Sequence, residues 1–273
     1  MFKQELEQLR EKGALVHNIT NYVTVNDCAN ILLACGASPI MADDPQEASE
    51  ITSICGGLCI NLGTLNQQTI PAMLQAGRKS KELGHPTLLD PVGVGASALR
   101  TNTAIELMKE IDFDVIRGNI SEIKTLAEGS GTTKGVDADV ADQITEDNLE
   151  QGISFAKKFS QKTGGVVAIT GAIDIVAKGE KAYIIRNGNP MMSKITGTGC
   201  MLSGMITAYL VANPETPLEA TAAAVCAMGL CGELGFARLT KADGNSTYRN
   251  YIIDAVCNLT GEELERGANY EVR

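Results

Sequence analysis

Histidine is nearly missing from this chain of 273 residues; only His17 and His85 occur. That scarcity excludes a His-rich metal site and any mechanism that needs several histidines. Eight cysteines are present, but none forms a C-x-x-C. Cys55 and Cys59 stand four apart and Cys226 and Cys231 five apart, spacings that suit neither zinc nor a disulfide framework. Cys28, Cys35, Cys226 and Cys231 fall in Ala/Leu/Met-rich helical stretches, where a thiol behaves as a small buried hydrophobe. No stretch reaches the roughly 18 apolar residues of a membrane span. The charged N-terminal run FKQELEQLREKG lacks the apolar centre of a signal peptide, and both absences favour the cytoplasm. Basic charge is short as well: 23 Lys and Arg face 33 Asp and Glu, a net charge of −10. Spread along the chain, that charge repels nucleic acid and anionic membranes, so neither is expected as a partner.

What remains has the composition of a globular protein, 44% hydrophobic and 21% charged, enough for a sizeable core. Helical patterns near 2–12, 24–35, 65–83, 101–110, 120–128 and 146–162 alternate with strand-like runs SPIMA (38–42), LCINL (58–62), PTLLD (86–90), DVIRG (114–118) and VVAIT (166–170). This alternation predicts an α/β fold with a mostly parallel sheet flanked by helices. From 173 to 189 two β-rich runs surround Lys178-Gly179-Glu180, a hairpin signal. Small-residue helices follow to about 212, near 217–239 and near 246–260. The one soft segment, 129–143, reads as a surface loop. With no long linker or internal repeat, a single domain over 1–273 is the simplest organisation.

In open α/β sheets ligands bind beyond the carboxyl ends of the strands. Asn61, Asp90, Arg117 and Thr170 all stand at such ends. A second signal is Gly197-Thr198-Gly199-Cys200 opening a helix, whose first N–H groups have no intrahelical partner and suit an anion. The same glycines also suit plain close packing. It is not a Walker A loop, since no Gly-Lys-Ser/Thr follows, nor G-x-G-x-x-G, since Leu202 occupies the third glycine's place. In Arg117-Gly118-Asn119-Ile120-Ser121-Glu122, Asn119 and Glu122 lie three apart on a new helix. They are either oxygen donors for Mg²⁺ or an N-cap and its capping-box partner. Asp90-Pro91-Val92-Gly93 offers another metal or water ligand, or a turn.

Taken in order, D-P-V-G, R-G-N-x-x-E, I-T-G (169–171) and G-T-G-x resemble the ribokinase-like superfamily. The runs Val16 to Val23 (VHNITNYV) and Gly36 to Ala42 (GASPIMA) narrow the resemblance to the hydroxyethylthiazole kinases of thiamine salvage, over essentially the whole chain. The resemblance implies a three-layer α/β/α fold without a separate lid domain. It also implies a homotrimer with active sites between subunits, and transfer of phosphate from ATP to 4-methyl-5-(2-hydroxyethyl)thiazole. Met41 and Gly197 then correspond to thiazole-contacting residues, with Asn21 beside them and His17 as either a pocket donor or a core residue. Arg117 and Thr170 correspond to ATP-binding positions, and residues 197–200 to an anion hole. Asp90, Asn119 and Glu122 map to the Mg²⁺ region. Cys200 is the departure: the superfamily usually carries an aspartate there as the base for the attacking hydroxyl. A thiol at a helix N-terminus has a lowered pKa, whereas nearby phosphate raises it. The alternatives are a hydroxymethylpyrimidine-type kinase or a non-catalytic metabolite binder.

Overall fold

The computed structural model describes residues 2–129 and 143–273. Among the described residues nine strands form one sheet: β1 (Leu15–Ile19), β2 (Ser38–Met41), β3 (Gly57–Asn61), β4 (Thr87–Asp90), β5 (Val115–Gly118), β6 (Val166–Ile169), β7 (Asp174–Lys178), β8 (Lys181–Ile185) and β9 (Tyr270–Val272). Their order is β2-β1-β3-β4-β5-β6-β7-β8-β9. The first six are parallel and the last three antiparallel, as the hairpin signal predicted. Gly179 turns that hairpin with φ 58, a left-handed conformation that glycine adopts without a Cβ penalty.

Strand side chains alternate between two cores, as a period of two requires. Val115, Val166, Ala168, Val176 and Tyr183 face one core; Ile116, Val167, Ile169, Ile175 and Ile184 face the other. On the first face lie α1 (Phe2–Lys12), α2 (Val25–Cys35), α8 (Thr198–Ala212), α9 (Pro217–Ala237), α10 (Asn245–Asn258) and α11 (Gly261–Gly267). On the second lie α3 (Ala48–Ile54), α4 (Thr69–Leu83), α5 (Ala98–Glu110), α6 (Ile120–Gly129) and α7 (Leu149–Thr163). The expected three-layer architecture is thus present.

The faces differ in character. Helices such as α4 and α7 are amphipathic. In contrast, α8 and α9 are apolar on nearly every side and almost wholly buried. Their small residues permit close approach: Gly204 of α8 sits against Leu32 of α2, the kind of contact that brings helix axes together. By length and composition α9 could cross a membrane, contrary to the reading of the sequence, but 78% of its apolar window is buried within the protein. Cys28, Cys35, Cys226 and Cys231 are buried free thiols, as predicted.

Four elements differ from the sequence reading. β1 and β9 were not foreseen, nor were α3 and α11. In β1 the buried His17 and Asn18 conceal the apolar pattern of a strand. The loop expected at 129–143 lies outside the described residues except at its two ends.

Candidate active site

The carboxyl ends of the parallel strands open onto one crevice with a cavity at each end. The larger, about 650 Å³, is lined from β5 and β6 by Arg117 and Thr170, from β7 by Asp174, and from the turn before α8 by Thr198 and Gly199. Its far wall is apolar, with Pro190, Met192, Val225 and Met228. The smaller, about 150 Å³, lies beyond β1, β2 and β3, where Asn18, Thr20, Tyr22, Met41 and Asp43 contribute. Such concave, mostly pre-formed spaces with a few polar groups are typical of small-molecule sites.

Between the cavities runs a buried polar network. In the parallel register Asn61 stands directly opposite Asp90, and its Nδ2 donates to Asp90 Oδ2 at 2.8 Å. Ser203 Oγ donates to the same oxygen at 2.8 Å, and Arg117 Nη1 lies 3.5 Å from it. Arg117 Nη2 also donates to Thr170 Oγ1 at 2.5 Å. On the other side Asn21 Nδ2 donates to Asn61 Oδ1 at 2.9 Å. Asn21 Oδ1 accepts from the Thr24 N–H and hydroxyl at 3.1 and 3.0 Å. The Nδ2 groups of Asn21 and Asn61 each lie 3.3 Å from Cys200 Sγ, which can only accept from them.

The turn before α8 joins the cavities. Gly197 has φ 89, and a Cβ there would fall 2.5 Å from Thr24 Cγ2, so neither its backbone nor its surroundings tolerate a side chain. Gly199 lies over the Arg117 guanidinium: an added Cβ would meet Nη1 at 2.4 Å and Nη2 at 2.6 Å. No side chain caps the start of α8, leaving its first N–H groups and helix dipole available to an anion. Cationic guanidinium and unpaired amides therefore converge on one spot.

Burial sets the charge states. It drives the Asp90 carboxyl above the usual carboxylate range, against the pull of Arg117. Asp90 Oδ1 is buried without a hydrogen-bond partner, so this carboxyl holds an unfilled acceptor at the junction between the cavities. Cys200 is raised too, chiefly by burial and then by Asp90, with the bonds from Thr24, Asn21 and Asn61 opposing. The lowering expected at a helix N-terminus loses to desolvation. Enclosure pushes Asp174, whose Oδ1 accepts the Gly171 N–H at 2.8 Å, up to about 7.

The predicted site residues are largely brought together. Arg117, Asn119, Thr170, Thr198 and Gly199 line the larger cavity and Met41 the smaller, while Asp90, Cys200 and Gly197 form the junction. Asn21 is not among the lining residues of either cavity; it holds the junction from behind. Asn119 and Glu122 form the capping box: Asn119 N–H donates to Glu122 Oε2 at 2.9 Å, and Glu122 N–H to Asn119 Oδ1 at 2.9 Å. Glu122 Oε1 also accepts the Gly93 N–H at 2.9 Å, tying the D-P-V-G turn to α6. Among the described residues no three His, Cys, Asp or Glu side chains cluster as direct metal ligands. His17 is a core residue, fully buried. Sequence reasoning missed Asp174, Asn187, Met192, Met228 and Gly229 in the larger cavity; Asp174 opens β7 and none of the five closes a strand, so the carboxyl-end rule gave no signal for them.

Comparison with known proteins identifies the family and the fold. A model of the hydroxyethylthiazole kinase family matches residues 6–262. A hydroxyethylthiazole kinase of Clostridium acetobutylicum is 66% identical over 271 residues, covering 99% of each chain. The solved structure of a hydroxyethylthiazole kinase protein from Pyrococcus horikoshii OT3 matches with a TM-score of 0.88 at 30% identity, covering 100% of this chain and 98% of that one. A ribokinase-like superfamily protein from Enterococcus faecalis V583 matches with a TM-score of 0.59 at 13% identity, over 94% and 88% of the two chains. At that identity the likeness concerns the fold alone.

Proposed function

The chain belongs to the hydroxyethylthiazole kinase family, and we propose on that footing how its crevice works. The enzyme transfers the terminal phosphoryl group of ATP to the hydroxyl of 4-methyl-5-(2-hydroxyethyl)thiazole, yielding the thiazole phosphate used in thiamine biosynthesis. The observation that carries the assignment of parts is the stacking of Gly199 on the Arg117 guanidinium, at the junction of a large and a small cavity.

ATP occupies the larger cavity, its polyphosphate toward Arg117 and Thr170 and its base toward the apolar wall. The thiazole alcohol occupies the smaller one, with the polarizable thioether of Met41 against its flat ring. Gly197, whose side-chain space is taken by Thr24, holds the turn in the left-handed conformation beside the hydroxyethyl arm. The first N–H groups of α8 and Arg117 then receive the charge on the moving phosphoryl group. For a loose transition state, positioning and charge neutralisation are the main contributions.

Mg²⁺ fits the donors present. The partnerless Asp90 Oδ1 and the Glu122 carboxylate are hard oxygen donors, and Asn119 stands beside Glu122. With both Glu122 oxygens already accepting N–H bonds, these residues would hold the ion partly through water, as Mg²⁺ favours. When bound, the ion would neutralise polyphosphate charge. Cys200 takes the proton from the acceptor hydroxyl. Burial and Asp90 keep its thiolate scarce, while the two amide N–H donors favour the thiolate, so Cys200 contributes modestly as a base at neutral pH.

One domain over 1–273 carries both cavities. It works in the cytoplasm as a homotrimer with the acceptor cavity at the subunit boundary. Tyr22, on the rim of that cavity, is 77% exposed and Val23 59%; a second subunit would cover such apolar groups. Light scattering should give three chains per particle. The function itself is tested by offering ATP and Mg²⁺ with the thiazole alcohol or hydroxymethylpyrimidine and weighing the products. Thiazole phosphate plus ADP is the expected result. Tight thiazole binding without ADP formation would reduce the protein to a metabolite binder.

A further inference from the structure

One buried histidine reaches the acceptor cavity without lining it. His17 lies on β1, fully buried, with Nε2 2.7 Å from the Ala42 carbonyl oxygen and Nδ1 2.9 Å from Thr52 Oγ1 on α3. A carbonyl only accepts, so Nε2 carries the proton and donates. Burial lowers the imidazole's pKa, leaving the ring neutral; the single proton of the Thr52 hydroxyl is then shared between Nδ1 at 2.9 Å and the Ala48 carbonyl oxygen at 2.8 Å.

The place of Ala42 gives this bond its interest. The β1–β2 register ends with Asn18 opposite Met41, so Ala42 is the first residue beyond the main-chain ladder. Met41, Ala42 and Asp43 all line the smaller cavity. The histidine ring therefore continues, by side chain, the restraint that the sheet stops supplying, and it does so at the residue following Met41. Thr52, itself buried, fixes the ring from the opposite side.

We propose that His17 is a positioning residue for the acceptor alcohol: its bond to the Ala42 carbonyl sets the wall formed by residues 41–43 and holds Met41 against the thiazole ring. This rests on the placement of the thiazole in the smaller cavity. A core histidine of purely structural value would leave the affinities of folded enzyme unchanged.

The test is steady-state kinetics of full-length variants, with both substrates varied. His17→Phe keeps a ring and removes the donor. The KM for the thiazole alcohol should rise roughly tenfold, the scale set by a buried carbonyl losing its partner. The KM for ATP and kcat should stay within about twofold, the pattern of lost ground-state binding. His17→Gln restores an N–H of similar reach and should recover most of the loss. With Met41→Ala already present, His17→Phe should add little, because the two act through one contact. Should His17→Phe not fold, Thr52→Val retains the imidazole but frees it, and should raise the same KM by a smaller factor. An unchanged thiazole KM in a folded variant, an equal rise in both KM values, or full additivity with Met41→Ala overturns the proposal. A wild-type enzyme that makes no thiazole phosphate is instead a failure of the proposed function, read in the control alone, and removes this inference with it.

Discussion

At the end of the crevice proposed for the acceptor, side chains hold one another: Asn21 to Asn61, Asn61 to Asp90 and Cys200, His17 to Ala42 and Thr52. At the nucleotide end the shape depends on side chains that are absent. Gly199 leaves room for Arg117; Gly229 has Asn187 O at 2.7 Å from where its Cβ would stand, and Gly232 has Met192 Sδ at 2.3 Å. The first arrangement makes a small, chemically selective pocket, since each group is fixed by a partner. On the proposed function, the second would let backbone amides come close to the polyphosphate. The contrast has a practical meaning: removing atoms should harm the acceptor end, and adding them should harm the nucleotide end.

The largest effect should come from Arg117→Met, which removes the charge that both ends share. We expect kcat/KM to fall by about a thousandfold, the scale of a phosphoryl-directed arginine, in a coupled ADP-release assay. Next is Gly199→Ala. The Arg117 guanidinium is the free end of a flexible side chain and can swing away from an added methyl, so the melting temperature should hold within a few degrees while kcat/KM drops about a hundredfold. Full activity in that variant would break the claim that vacancy shapes this end. Third, Met41→Ala should raise the thiazole KM about tenfold with little change in the KM for ATP, the signature of uniform binding lost at one end. Equal shifts in both would erase the distinction between the cavities.

The smallest effect should follow Cys200→Asp. The two amide donors at Sγ suit a carboxylate equally well, so turnover should stay the same or rise by a few-fold. The pH profile sharpens this. With the Cys200 pKa raised, a thiolate base is mostly protonated at neutral pH, so wild-type kcat should climb as pH rises from 7 to 9, at most about tenfold per unit. The aspartate variant should be flat over that range. A wild-type profile equally flat would remove the base role from Cys200.

Much of the site was legible because chemistry-bearing residues sit where strands end. Asn61, Asp90, Arg117 and Thr170 each close a hydrophobic run, and parallel strands align their carboxyl ends on one edge. The Gly197–Cys200 turn was legible for a local reason, two glycines before an apolar helix. Long-range pairing was not. Nothing in the sequence ties Asn21 to Cys200 across 179 positions, or sets Met192 on Gly232, because such contacts arise only once the helices of one face close over the sheet. β1 was hidden since His17 and Asn18 break its apolar pattern, although their polar groups are satisfied inside. At Asn119 and Glu122 the local signal was sound and the cap formed, each side chain accepting the other's N–H. For Cys200 the sequence left helix-end lowering and phosphate raising in balance, and the burial that decides the direction is visible only in the fold.

The helix that begins at the anion turn goes straight into the interior. From Met201 to Leu210 every residue of α8 is buried, and only its first turn faces the crevice. The turn proposed to cradle phosphate is thus the exposed tip of a post sunk in the core, without the independent looseness of a surface loop. Heat or denaturant should not dull the catalyst gradually ahead of unfolding; loss of the transfer step and collapse of the interior should coincide.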